Sequence, residues 1–282
     1  MLNDSTFASD PRQNGLLAAL PDNEWRRVQR NLVPIELSAG EVLCEFDSRL
    51  THAYFPTTSI ISLLYTTADG ASTEIAAIGA EGLVGITLVM GDTAMGSRVV
   101  VQRGGQVYRL DPAALKAEFS HGGTMQKLLL LYTQARLTLI SQIAVCNRRH
   151  SIDQQLCRWL LLSLDRYASR ELTITHERLA NTLGVRREGI TDAARKLQAA
   201  GLIQYSRGRI AVIDRARTEA FCCECYGVVH RALALLPAAG ARSAYDVPLS
   251  SVLSKNPAAV HGGGSCRLVS PTARLVAGSY LR

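Results

Sequence analysis

Between Leu172 and Ile203 the apolar residues fall into two short helical periods broken by a glycine. Leu179 and Leu183, four apart, give a first helix one buried stripe, and Thr175 stands where a hydroxyl can cap its start. Gly184, just past the last apolar position, suits the left-handed residue that ends a helix in a tight turn. In the second helix Ile190, Ala194 and Leu197 face inward, while Arg187, Glu188, Thr191, Asp192 and Arg195 share the outer face and Arg186 precedes them at the cap position. After Gly201 the run LIQYSRGRIAVID alternates about a Ser-Arg-Gly-Arg turn, which predicts a hairpin with Arg207 and Arg209 at its tip. Two helices at a fixed crossing followed by a basic hairpin suit duplex DNA. An outward arginine matches the O6/N7 edge of guanine and a glutamate accepts from the cytosine amino group, at about 1–3 kcal/mol of discrimination per good pair. The hairpin arginines would meet phosphate, adding salt-sensitive affinity without sequence information. The bland alternative is an amphipathic helical hairpin whose charges are simply solvated.

Upstream the period shortens to that of strands. Apolar runs at VPIELSAGEVLCEF, AYFPTTSIISLLYTTADGASTEIAAIG and SRVVVQRGGQVYRL are punctuated by Ala39-Gly40, Asp69-Gly70 and Gly104-Gly105, which predicts a small barrel or jelly roll. Short helices are expected over Asp22 to Arg30 and Pro112 to Phe119, and a long one over about Thr124 to Asn147. That helix is apolar on two sides, with Leu130, Leu137, Ile140 and Ala144 on one and Leu129, Tyr132, Leu139, Ile143 and Cys146 on the other. A helix apolar on two sides has to be covered on two sides. Either the barrel covers one and a second copy the other, with Leu129, Tyr132, Leu139 and Ile143 at the dimer interface, or both are buried in a monomer. The resulting fold class is α+β: an N-terminal β jelly-roll barrel over 15–120, a long dimerisation helix over 121–148, and a C-terminal winged helix-turn-helix over 149–230. From 236 to 282 Ala, Ser, Gly and Pro recur without period, and this tail is expected to be disordered.

Charge follows the same division. The chain of 282 residues carries a formal net charge of +7, yet residues 1–147 hold 11 Lys/Arg against 14 Asp/Glu, whereas 148–217 hold 14 against 7. The basic excess belongs to the segment assigned to DNA. The apolar stretch from Met125 to Val145 is interrupted by Lys127, Gln134, Arg136 and Gln142, which are costly in lipid. The expectation is therefore a cytoplasmic protein without a membrane segment. Seven cysteines without framework spacing agree with a reducing compartment.

This order of barrel, long helix and winged helix-turn-helix resembles the Crp/Fnr family of bacterial transcription regulators. The resemblance covers about residues 15–230 and is carried by LLAALPDNEW, EIAAIGAEGLVG, CNRRHSIDQQLCRWLLLSLDR and LANTLGVRREGITDAARKLQAAGLIQYSRGRI. It implies a homodimer on near-palindromic operators whose DNA affinity or RNA polymerase contact changes when the barrel senses a signal. Arg187 and Glu188 match the family's usual base-contacting pair. Arg186 stands in place of the usual Ser cap, Gly189 weakens the helix by up to about 1 kcal/mol, and Asp192 stands where the family often has Arg.

The effector site departs further. Members that bind cyclic AMP carry a Gly-Glu-Leu run and an Arg-Ser/Thr pair, whereas here the corresponding positions read Gly85-Ile86-Thr87 and Arg98-Val99. Gly82, Gly85 and Arg98 are the weak effector candidates, with Gly82 and Gly85 either exposing backbone N–H groups to an anion or only shaping a turn. No cofactor is identified; a cyclic nucleotide is possible but unsupported, since the carboxylate expected to hold its ribose is missing. Rival chemistry lies in Cys222, Cys223 and Cys225, followed by His230. With Cys146 or Cys157 they could form a metal or redox site; the other reading is reduced cysteines packed on a C-terminal helix, and no metal is assigned. The six histidines are scattered and form no catalytic constellation, so the chain is not expected to be an enzyme; an enzyme with a DNA-binding appendage is the remote alternative.

Overall fold

The structure is a computed structural model describing residues 9–68, 70, 72–91, 94–166 and 171–236. Beyond Leu236 the expected tail lies outside the described residues.

Seven strands, β1 (Val33–Leu37), β2 (Val42–Cys44), β3 (Ala53–Pro56), β4 (Ile60–Thr66), β5 (Ser72–Ile78), β6 (Arg98–Arg103) and β7 (Gly105–Leu110), form two antiparallel sheets ordered β1-β7-β3 and β2-β6-β4-β5. Phe55, Ile61, Val99, Val101 and Val107 fill the space between the sheets. This is the expected jelly-roll barrel. Helices α1 (Gly15–Ala18) and α2 (Asp22–Gln29) add Leu16, Leu17 and Val28 to its core. Asn14 locks this N-terminal turn to the barrel. Its Oδ1 accepts from the Leu16 and Leu17 N–H groups, and its buried Nδ2 donates to the carbonyls of Pro56 and Gly82.

After the short α3 (Thr87–Met90), α4 (Pro112–Ser120) starts where Asp111 accepts from the Ala113 N–H and Pro112 occupies the first turn, a position that needs no donor. Helix α5 (Gly123–Arg149) is the long helix, and by length and composition it could cross a membrane. One apolar face of it is packed within the chain: Met125, Leu128, Leu129 and Tyr132 close the barrel, and Leu139 and Ile143 join a cluster with Leu161, Leu162, Tyr226 and Val229. These last residues belong to α6 (Ile152–Arg166) and α10 (Glu224–Ala234).

This overturns the assignment of Leu129, Tyr132, Leu139 and Ile143 to a dimer interface. Leu129, Tyr132 and Leu139 are at most 3% exposed within one chain, and Ile143 is partly buried among them. The reason is long-range: α10 folds back against α5 and covers the face that periodicity left open. The opposite stripe stays exposed, with Leu130 at 55%, Leu137 at 62% and Ile140 at 50%.

The third sheet, ordered β8-β10-β9, joins β8 (Glu171–Thr173) to the hairpin β9 (Ile203–Ser206) and β10 (Arg209–Val212). Helices α7 (His176–Leu183), α8 (Arg187–Ala199) and α9 (Arg215–Phe221) complete this unit around Leu156, Leu160, Leu179, Ile190, Leu197 and Ile210. Helix α7 lies beside β5, the edge strand of the four-stranded sheet, so the barrel edge and the helical unit meet.

Candidate nucleic-acid interface

The crossing of α7 and α8 is fixed by local chemistry. Thr175 Oγ1 accepts from the Arg178 N–H at 3.2 Å, capping α7, and Gly184 takes the left-handed conformation at φ +67° and ψ +35°. The Gly184 and Val185 N–H groups then return to the last turn of α7, Val185 to the Ala180 carbonyl at 3.0 Å. Leu179, Leu183, Ile190, Ala194 and Leu197 are all buried between the helices and their support. Gly189 faces Ile152 so closely that a Cβ there would lie 2.7 Å from its Cδ1. Close approach of α6 accounts for a residue that helix propensity alone disfavours.

The outer face of α8 is open. Arg187, Glu188, Thr191, Asp192 and Arg195 together line one shallow concavity, and all but the half-buried Thr191 are exposed. Arg186 sits at the cap position without a capping side-chain bond. Three of the five side chains are already engaged: Asp192 pairs with Arg195 at 3.1 Å, and the Thr191 hydroxyl donates to the Arg187 carbonyl at 3.1 Å.

Sequence reasoning missed His176 and Tyr205. His176 Nδ1 lies 3.1 Å from Thr191 Oγ1, and its ring stacks on Tyr205 at 4.2 Å, tying the start of α7 to α8 and to the wing. Burial and then the nearby Arg187 charge hold the His176 pKa below its ordinary value, favouring the neutral ring at pH 7. The pairing joins residues 15 and 29 positions apart, so no local pattern announces it.

At the wing, Arg207 and Gly208 both have positive φ, +49° and +76°, which gives the two-residue turn the twist that antiparallel strands favour. Arg207 and Arg209 lie on the same surface as Gln204, Ser206 and Glu171. Arg209 Nε is 3.6 Å from a Glu171 carboxylate oxygen, so its charge is partly answered by β8.

The effector candidates are closely packed or already paired. Gly82 lies against the Tyr132 ring, where a Cβ would come within 2.4 Å, and the Tyr132 hydroxyl donates to the Leu83 carbonyl at 2.9 Å. Gly85 is hemmed by Leu50, Leu88 and Ala53, and Arg98 is ion-paired with Glu45 at 2.8 Å. Next to Gly82, Glu81 pairs with Arg166 of α6 at 2.9 Å. Of the cysteines, Cys222 stands partly exposed near the Gln154 carbonyl, Cys157 is in the helical core, and Cys223 and Cys225 turn inward toward Cys146 and His150.

Residues 154–221 match the model of the Crp-like helix-turn-helix domain. No curated protein matches the chain. Among solved structures, a Crp/Fnr-family transcriptional regulator from Eubacterium rectale is similar over 73% of this chain and 96% of its own, at 19% identity and a TM-score of 0.59. FixK2 from Bradyrhizobium japonicum is similar over 68% of this chain and 98% of its own, at 14% identity and a TM-score of 0.59. TTHB099, a CRP-family transcriptional regulator from Thermus thermophilus, covers 66% of this chain and 95% of its own, at 17% identity and a TM-score of 0.55. At these identities the likeness is one of fold.

Proposed function

We propose that this chain, a Crp/Fnr-type transcription regulator by its helix-turn-helix domain and its fold, binds specific duplex DNA as a two-fold pair and adjusts that binding through its barrel. The observation that carries the reading is the open face of α8, where Arg187, Glu188, Thr191, Asp192 and Arg195 line one surface. Laid in the major groove, that surface presents Arg187 and Glu188 to base edges. Thr175 at the start of α7, Arg186, Arg207 and Arg209 contact the flanking phosphates.

The exposed stripe of Leu130, Leu137, Ile140 and Ala144 on α5 takes a second copy. A two-fold axis there presents two α8 helices to successive turns of one duplex face. Signal transfer runs from the 79–85 loop, which Tyr132 ties to α5 and Glu81 ties to α6. A ligand that favours one arrangement of this loop shifts DNA affinity by no more than its differential affinity for the two states. The reading assigns no cyclic nucleotide to the barrel, because Gly82 is closed by Tyr132 and Arg98 is spent on Glu45. It makes the protein cytoplasmic, where its DNA is, a regulator rather than an enzyme, and a partner of RNA polymerase as the family resemblance implies.

The test is selection of bound fragments from a genomic DNA pool by the purified full chain. Enrichment of a near-palindromic site is expected. Binding that leaves the pool unenriched would overturn sequence-specific recognition, and a monomer by light scattering at micromolar concentration would overturn the pair.

A further inference from the structure

Four side chains that play no part in DNA contact converge where α5 ends. Cys146 lies in the last turn of α5, His150 is its C-terminal cap residue, Cys223 is the N-terminal cap residue of α10, and Cys225 is in that helix's first turn. One donor atom from each lies within 4.8 Å of every other, and all three cysteines are buried. Cys146 Sγ is 3.6 Å from Cys223 Sγ, and Cys225 Sγ is 3.6 Å from His150 Nδ1. A tetrahedral zinc ion with bonds of about 2.3 Å to sulfur and 2.0–2.1 Å to nitrogen sets its donors about 3.8 Å apart between thiolates and about 3.5 Å between thiolate and imidazole. Both observed separations fall on these edges.

We propose that Cys146, His150, Cys223 and Cys225 bind one zinc ion in a tetrahedral three-cysteine, one-histidine site that fastens α10 to the end of α5. Two further features suit it. His150 Nε2 faces the Glu224 carboxylate at 3.4 Å, so that Nε2 keeps the proton and Nδ1 presents its lone pair to the ion, the outer partner that metal-bound histidines commonly have. Arg158, 3% exposed and with its Nε unpartnered, lies within electrostatic reach of Cys146. Three thiolates and Zn²⁺ carry a net charge of −1, which that buried guanidinium balances. On binding, the three thiols release their protons to solvent and no electrons move. An iron–sulfur cluster is the poorer occupant, since its thiolates sit on separate irons and would be spread wider than these donors. The set also differs from the one the sequence pattern suggested. Cys222 packs against the cluster but is not among the four residues whose donor atoms lie within 4.8 Å of one another, and the histidine is His150 rather than His230.

The experiment is titration of the reduced, metal-free full chain with Co²⁺ and then Zn²⁺. One Co²⁺ per chain with the visible absorption of a tetrahedral thiolate site, displaced by one Zn²⁺, is expected. Cys146→Ser and Cys225→Ser should each lose that spectrum, and Cys222→Ser and Cys157→Ala should keep it. Wild-type protein that shows no tetrahedral Co²⁺ spectrum overturns the proposal without recourse to any variant. So does a spectrum that survives both serine variants, or one that Cys222→Ser abolishes in a protein whose circular dichroism is unchanged.

Discussion

At the scale of residues, the helix-turn-helix divides its charges between two tasks. Arg187 stands exposed on the concave face of α8, whereas Arg207 stands at the tip of the wing. An arginine bonded to a base edge discriminates, so Arg187→Ala should lose about 1–3 kcal/mol against the cognate site and leave random-sequence DNA nearly as before. Equal losses on both DNAs would remove Arg187 from the bases. Arg207 opposes phosphate, so Arg207→Ala should weaken every sequence alike and lower the slope of log affinity against log salt by about 1. Much of this site was legible in the chain, because a cap at Thr175, a left-handed turn at Gly184 and an outward arc from Arg187 to Arg195 are local consequences of spacing. The internal engagement of Thr191 was not. It depends on His176 approaching across the helix crossing, a contact that appears only once both helices and the wing are in place.

At the scale of elements, α5 shows where periodicity stops being informative. Alternate apolar faces predicted two coverings, yet which covering each face receives is decided by α10, whose Tyr226 and Val229 lie about 90 residues downstream of Leu139 and return to bury that side. The corrected assignment makes opposite forecasts for neighbouring leucines. Leu137→Glu should convert a dimer to a monomer by light scattering with little change in chemical stability, since that side chain is 62% exposed in one chain. Leu139→Ala, buried against α6 and α10, should instead cost about 2–5 kcal/mol of stability. The reverse pattern would restore the original face. The other end of α5 has its own determinant. Glu24 accepts from the Thr124 and Met125 N–H groups at 2.9 and 2.8 Å, filling two donors that the first helical turn leaves unpaired. Burial alone would raise its pKa, but these two bonds, together with the Thr124 side chain and the Arg27 charge, hold the carboxyl below its ordinary value. A depressed pKa stabilises the fold above the unfolded value and ceases to do so as pH falls through the folded one. Glu24→Gln should therefore be less stable than wild type at pH 7, by about 1.5–3 kcal/mol. The gap should narrow once pH drops below the ordinary glutamate value of about 4.3. A gap constant down to pH 3 would mean that the charge of Glu24 is immaterial.

For the whole molecule, barrel and DNA-binding unit are joined by more than the α5–α6 connection. The edge strand β5 runs beside α7, and the Glu81–Arg166 pair crosses from the barrel loop to α6 with the arginine side chain only 9% exposed. That pair sits one residue from Gly82, which Tyr132 closes, so a single loop touches both α5 and α6. Breaking a buried pair from one side leaves the remaining charge without a partner. Glu81→Gln should then cost toward the lower end of about 3–5 kcal/mol, because Glu81 itself is a quarter exposed. Replacing both partners removes the stranded charge. The double variant Glu81→Gln, Arg166→Met should accordingly recover part of the loss in denaturant unfolding, giving a coupling energy that neither single change shows. Hydrogen exchange should place the loosening in two stretches at once, the 79–85 loop and the C-terminal turns of α6. If the double variant is as unstable as the sum of its parts, or if exchange rises in the loop alone, Glu81 and Arg166 do not act together and the route from barrel to α8 has to pass through Tyr132 and α5.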